Sequence, residues 1–231
     1  METGMATDRG RCRELNEDSF GWKDNLFVLA DGMGGHNAGE VASALVVEEI
    51  LRIDPKQEEF IPSLRLLLNQ ANQVLLDYAD YHPECSGMGT TIALVKVETD
   101  RITVAHVGDS RVYLWRQTEL TQLTRDHSVV EELVRGGGIT EEEAQNHPQR
   151  NLLTKALGAP GEVEVEINEV SVGQGDRVLL CTDGLTSMLS KEEINQMLST
   201  DLSAQEIADA LVREANNRGG ADNITVIVIK I

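Results

Sequence analysis

Residues 91–115 read TIALVKVETDRITVAHVGDSRVYLW. Three apolar runs, 91–97, 102–107 and 112–115, stand in close succession and are rich in the β-branched and aromatic residues that suit strands. Further runs of strand character lie at 26–30, 163–172, 178–181 and 224–229. The last is almost wholly apolar, as in a strand covered on both faces. Helical signals flank this block. Leu64, Leu67, Leu68, Ala71, Leu75 and Tyr78 keep the period of an amphipathic helix over 62–81, and another helix is expected over about 38–53. Near the C-terminus, Ser190 with Glu193 and Ser203 with Glu206 form capping-box patterns that open two more helices. Strands grouped between helices, rather than alternating with them, predict a layered α+β fold.

The 231 residues, 41% of them hydrophobic, are enough for one domain over 1–231 with a substantial core. The segment at about 128–157, with Gly136, Gly137 and Gly138 before short acidic and polar stretches, reads as a mobile flap insertion. No apolar stretch is long enough to span a bilayer and no signal core is seen, so a cytoplasmic protein is expected. Cys12, Cys85 and Cys181 lack disulfide or zinc spacing. The formal charge of −19 repels nucleic acid and anionic membranes, so neither is expected as a partner. Phosphate chemistry in such a field requires local positive charge, which bound cations could supply.

Four apolar runs carry an aspartate at one end: Asp31, Asp109, Asp183 and Asp222. Each alone is an ordinary turn signal. Together at the ends of buried strands they would repel and pay a desolvation cost unless a cation compensates, which favours a metal site. An all-oxygen donor set suits Mg²⁺ or Mn²⁺. The segment Asp31 to His36 lacks the lysine and Ser/Thr of a P-loop, so nucleotide binding is a weak reading. Upstream, Arg13 stands close to Asn16, Glu17 and Asp18, an arrangement able to fork onto a phosphate while carboxylates orient metal-bound waters.

Taken in order, RELNED (13–18), DGMGGH (31–36), GTT (89–91), HVGDSR (106–111), DHS (126–128), DG (183–184) and DNIT (222–225) resemble the metal-dependent protein phosphatases of the 2C type, in their bacterial branch, over nearly the whole chain. The resemblance implies a four-layer α-β-β-α sandwich: two stacked, mainly antiparallel sheets flanked by antiparallel helix pairs. It implies that Asp31 bridges two cations, that Asp183 and Asp222 complete one of them, and that the Gly32 carbonyl binds the other. Glu17 and Asp18 would hold metal-bound waters, Arg13 the substrate phosphate, and Asp109 with Asp183 a third, weaker cation. His106 and His127 belong to the motifs but read as structural residues.

The expected activity is hydrolysis of phosphoserine and phosphothreonine by a hydroxide shared between two cations, with no phosphoenzyme. The chain would act as a monomer on phosphoproteins and oppose a bacterial Ser/Thr protein kinase. Where animal members carry a histidine after the Asp-Gly pair, this chain has Met33, and His36 is the candidate general acid. No C-x5-R thiolate loop and no D-x-D nucleophile pair is present. Two rivals stay open: a catalytically silent member of the fold, and a phosphatase for small phosphorylated metabolites.

Overall fold

The computed structural model of the chain describes residues 1–34 and 38–231. Its strands form two sheets. One is five-stranded, in the order β1 (Glu2–Asp8), β11 (Ile224–Lys230), β10 (Arg177–Cys181), β7 (Arg111–Arg116), β8 (Glu119–Gln122). The other runs β2 (Asp18–Lys23), β3 (Leu26–Met33), β5 (Ile92–Val97), β6 (Arg101–Val107), β9 (Glu166–Ser171), and the short β4 (Gly89–Thr90) pairs with the end of β3. Every pairing is antiparallel.

Strand alternation explains the layering, because successive side chains leave a strand on opposite faces. In β3, Leu26, Val28 and Ala30 pack with helices α1 (Gly39–Ile50) and α2 (Phe60–Tyr81), while Phe27 and Leu29 face the other sheet. In β11, Ile224, Val226 and Val228 meet α6 (Lys191–Leu198) and α7 (Ala204–Asn217), while Ile227 and Ile229 join the layer between the sheets. The sandwich is therefore helix, sheet, sheet, helix, as the resemblance implied, and the 224–229 run is covered on both faces. Fully burying one such Ile or Val stabilises by roughly 1.5–3 kcal/mol.

Both C-terminal capping boxes form: Ser190 and Ser203 accept from the backbone of Glu193 and Glu206, whose carboxylates reach back to the serine N–H groups. Each cap contributes about 1 kcal/mol. Helix α2 starts two residues earlier than expected, at Phe60, and the 163–172 run becomes a strand only from Glu166. The reason is local: the Val163 N–H is taken by Asn69 Oδ1 at 2.9 Å, which draws that backbone away from the ladder. Residues 128–157 hold two short helices, α3 (Val129–Arg135) and α4 (Glu141–Gln145), and are tied down by isolated bridges at Ser128–Leu153 and Thr90–Leu157. Among the described residues no helix is long and apolar enough to cross a membrane.

Candidate metal centre

One end of the sandwich opens into a cleft of about 720 Å³. Arg13, Glu17, Asp31, Gly32, Asp109, Asp183 and Asp222 all line it. Asp31 lies in β3, Asp109 in the β6–β7 turn, Asp222 just ahead of β11, and Asp183 opens a single helical turn, α5 (Asp183–Thr186), directly after β10. The sequence-predicted carboxylates thus come from both sheets to one place.

Two glycines permit this closeness. A Cβ on Gly184 would lie 1.9 Å from the Asn223 carbonyl oxygen, so only glycine lets the Asp183 turn meet the Asp222 strand. A Cβ on Gly32 would lie 2.1 Å from the Gly39 carbonyl oxygen, which packs the Asp31-Gly32 backbone against the start of α1. Asp31 itself is pinned through its backbone: its N–H donates to Thr91 Oγ1 at 2.9 Å and its carbonyl accepts from the Thr91 N–H at 2.9 Å. Thr91 Oγ1 in turn lies 2.7 Å from Ser110 Oγ, next to Asp109.

Asp18 pairs with Asp31 across the β2–β3 ladder but lies behind the cleft. Its Oδ2 accepts from Thr225 Oγ1 at 2.6 Å and Thr182 Oγ1 at 3.0 Å, while its buried Oδ1 has no partner among the described residues. A buried unsatisfied carboxylate oxygen costs on the order of 1–3 kcal/mol or more unless water or an ion meets it. Asn223 fixes the loop that carries Arg13 and Glu17. Its Oδ1 accepts from the Glu17 N–H at 2.8 Å, and its Nδ2 donates to the Arg9 and Leu15 carbonyls at 2.9 and 2.8 Å.

The electrostatics fit a cation site. Burial first, then the like charges of Asp18, Asp183, Asp109 and Asp222, hold the Asp31 carboxyl well above the usual range. Burial and Asp183 push Asp109 up to about 7, and burial and Asp222 push Asp183 up to about 6, both against the opposing charge of Arg111. Asp18 is also raised to about 7, by burial that outweighs its two threonine bonds. Carboxylates so arranged either take up protons or bind cations, and an oxygen-only donor set with an orphaned Asp18 oxygen matches hard divalent ions. Arg13, like Asp18, is otherwise engaged, donating through Nη2 to Asp222 Oδ2 at 2.8 Å. His36 lies outside the described residues. Asn223, Thr91, Thr182 and Thr225 carry no role that the sequence alone assigns. Their signal was present as polar residues set among or beside buried strand residues next to the aspartates.

The sequence pattern described as Protein phosphatase 2C matches residues 10–222. The serine/threonine phosphatase stp of Listeria welshimeri is 42% identical, covering 100% of this chain and 96% of the relative. The crystal structure of the Mycobacterium tuberculosis serine/threonine phosphatase PstP/Ppp superimposes with a TM-score of 0.93 at 40% identity, covering 99% of this chain and 97% of the other. A PstP catalytic domain in complex with two manganese ions gives 0.90 at 38% identity, covering 98% and 96%. A carboxylate-lined cleft at the end of a four-layer sandwich, with this full-length similarity, leads to one conclusion: the chain belongs to the protein phosphatase 2C family, the metal-dependent phosphoprotein phosphatases, in its bacterial branch.

Proposed function

We propose that the chain removes phosphate from phosphoserine and phosphothreonine of proteins, with Asp31 between two Mn²⁺ or Mg²⁺ ions, Asp183 and Asp222 on one of them and the Gly32 carbonyl on the other. Asp109 with Asp183 would hold a third, weaker ion. When bound, the cations supply a hydroxide nucleophile at neutral pH and neutralise phosphoryl charge during in-line displacement. Arg13 forks onto the substrate phosphate. Glu17 and the free Oδ1 of Asp18 orient water. His36 is the proposed general acid for the leaving alkoxide.

The observation that carries this reading is the convergence of Asp31, Asp109, Asp183 and Asp222 in one cleft with Arg13 at its edge. The 128–157 segment, whose residues 151–156 line the same cleft, would be the mobile part that selects among phosphoproteins. Those phosphoproteins would be products of a Ser/Thr protein kinase in the same cell. Three free thiols fit a reducing compartment, hence the cytoplasm, and we take the chain to act as a monomer. Assay with Mn²⁺ on phosphoserine, phosphothreonine and phosphotyrosine peptides beside small phosphate esters tests the reading. Turnover of the first two, abolished by a chelator, is expected. Full activity without metal, or turnover confined to small esters, would overturn it.

A further inference from the structure

Beside the Asp109 turn lies a second group of metal-binding residue types, His106, His127 and Glu166, with ligand atoms within 4.8 Å of one another. It is not built as a cation site. The two imidazoles are stacked, with centroids 4.7 Å apart and planes at 12°, so one ion cannot lie along the ring lone pairs of both. Three of their four ring nitrogens are also in use. His106 Nε2 lies 2.7 Å from the Arg125 carbonyl oxygen, to which it can only donate. His127 Nδ1 is 3.1 Å from the Gly108 N–H, from which it can only accept. In neutral His127 the proton therefore sits on Nε2, 3.1 Å from Glu166 Oε1, which holds the ring in that tautomer.

The backbone of His127 completes the arrangement. Its N–H donates to the Gly108 carbonyl at 3.0 Å, so Gly108 is clasped on both its amide groups by one residue. Gly108 needs that support: its φ is +103°, and a Cβ there would lie 2.6 Å from Thr91 Cγ2. The next residue is Asp109. On its other side, the His127 carbonyl accepts from the Thr154 N–H at 2.8 Å, and Thr154 belongs to the strip 151–156 that lines the cleft.

We infer that His127 is a positioning residue that joins the Asp109 turn to the 151–156 wall, so that the carboxylate's placement and the substrate-facing wall are set together. One arm of this, the effect on metal, rests on the reading of Asp109 as a cation ligand; the other does not.

The test uses the full chain with His127→Ala, which loses the acceptor for the Gly108 N–H, and His127→Asn, whose side-chain oxygen replaces it. Mn²⁺ binding is measured by calorimetry without substrate, KM is measured for a phosphothreonine peptide at saturating Mn²⁺, and circular dichroism follows folding. His127→Ala is expected to weaken the last-filled Mn²⁺ site roughly tenfold, in the range for loss of a group that orients a ligand. It should also raise the peptide KM roughly fivefold while sparing a nitrophenyl phosphate, because the misplaced wall touches only the larger substrate. His127→Asn should return Mn²⁺ binding to within about twofold of the parent. If His127→Ala fails to fold, Glu166→Ala, at a partly exposed residue, frees the tautomer and should move both readouts the same way by less. Parent values for His127→Ala in both measurements, or equal impairment of the two His127 variants, would overturn the inference. Asp109→Ala alongside separates the readings. If it leaves Mn²⁺ binding intact while His127→Ala still raises KM, the cation role of Asp109 fails and the coupling to the wall stands.

Discussion

Arg13 Nη2 lies 2.8 Å from Asp222 Oδ2 and its Nη1 3.8 Å from Glu17 Oε2, so the cation proposed for substrate phosphate is held by a carboxylate proposed for metal. If Asp222 holds a cation as proposed, the guanidinium would lose this partner and be free to fork onto a phosphate. Arg13→Ala should raise the peptide KM by roughly 10–100-fold, the range for losing a charged hydrogen bond. Arg13→Lys should recover only part of this, because an ammonium cannot make the paired contact. Steady-state kinetics within twofold of the parent would remove Arg13 from the site.

Asp31 sits where four like charges converge on it. Asp31→Ala should abolish turnover, yet the metal-free protein should melt at the same temperature or higher, since one repelling carboxylate is gone. Thermal melts in chelator beside turnover assays check both halves. Near-normal turnover would refute the bridging role.

Burial and neighbouring like charges push Asp18 and Asp109 up to about 7 and Asp183 up to about 6 in the folded chain, all above the ordinary value for an unfolded aspartate. A raised folded pKa means the native state binds more protons than the unfolded one. The resulting stabilisation is complete below about pH 4 and is lost as pH rises through 6 to 7. The melting temperature in chelator should therefore fall between about pH 4 and pH 7, and saturating Mn²⁺ should flatten that slope by replacing protons at the same carboxylates. An unchanged slope on adding Mn²⁺ would place the metal elsewhere.

Gly184→Ala would drive a Cβ into the Asn223 carbonyl, and backbone on both sides would have to move. We expect a loss of about 1–3 kcal/mol in stability and a larger proportional loss of turnover, since Asp183 and Asp222 part together. Gly173→Ala, with nothing within 4 Å of the added carbon, is the control and should stay within about 0.5 kcal/mol of the parent. Similar melting temperatures for the two variants would show that the close approach is not required.

His36→Ala should slow a phosphopeptide, whose alkoxide leaving group needs a proton, while sparing nitrophenyl phosphate, whose leaving group does not. Equal losses on both substrates would point to a positional role instead.

Much of this was legible in the residues, for physical reasons that differ by element. The apolar runs of β3, β5, β6, β10 and β11 announce themselves because they are covered on both faces, and the two C-terminal helices because their caps are side-chain chemistry. β1, β2 and β8 went unread. They are edge strands, paired with a neighbour along one side only, and Glu2–Asp8 or Glu119–Gln122 shows no apolar run. The aspartates could be placed because each ends or introduces a readable strand. The hydroxyls and the amide that hold them could not. Thr225 and Thr182 reach Asp18 from 207 and 164 residues away, and a polar residue beside a buried strand does not say which distant carboxylate it meets.

β11 is the latest of the strands to be synthesised, yet it lies between β1 and β10, and all seven residues of β1 pair with it. On the ribosome, then, the earliest strand waits for the latest. Until residues 224–230 clear the exit tunnel, β1 and β10 each lack a neighbour, Asp222 has no seated strand behind it, and two sheet edges stand open to other nascent chains. Seating residues 224–230 therefore closes the five-stranded sheet and brings Asp222 to the cleft in the same step.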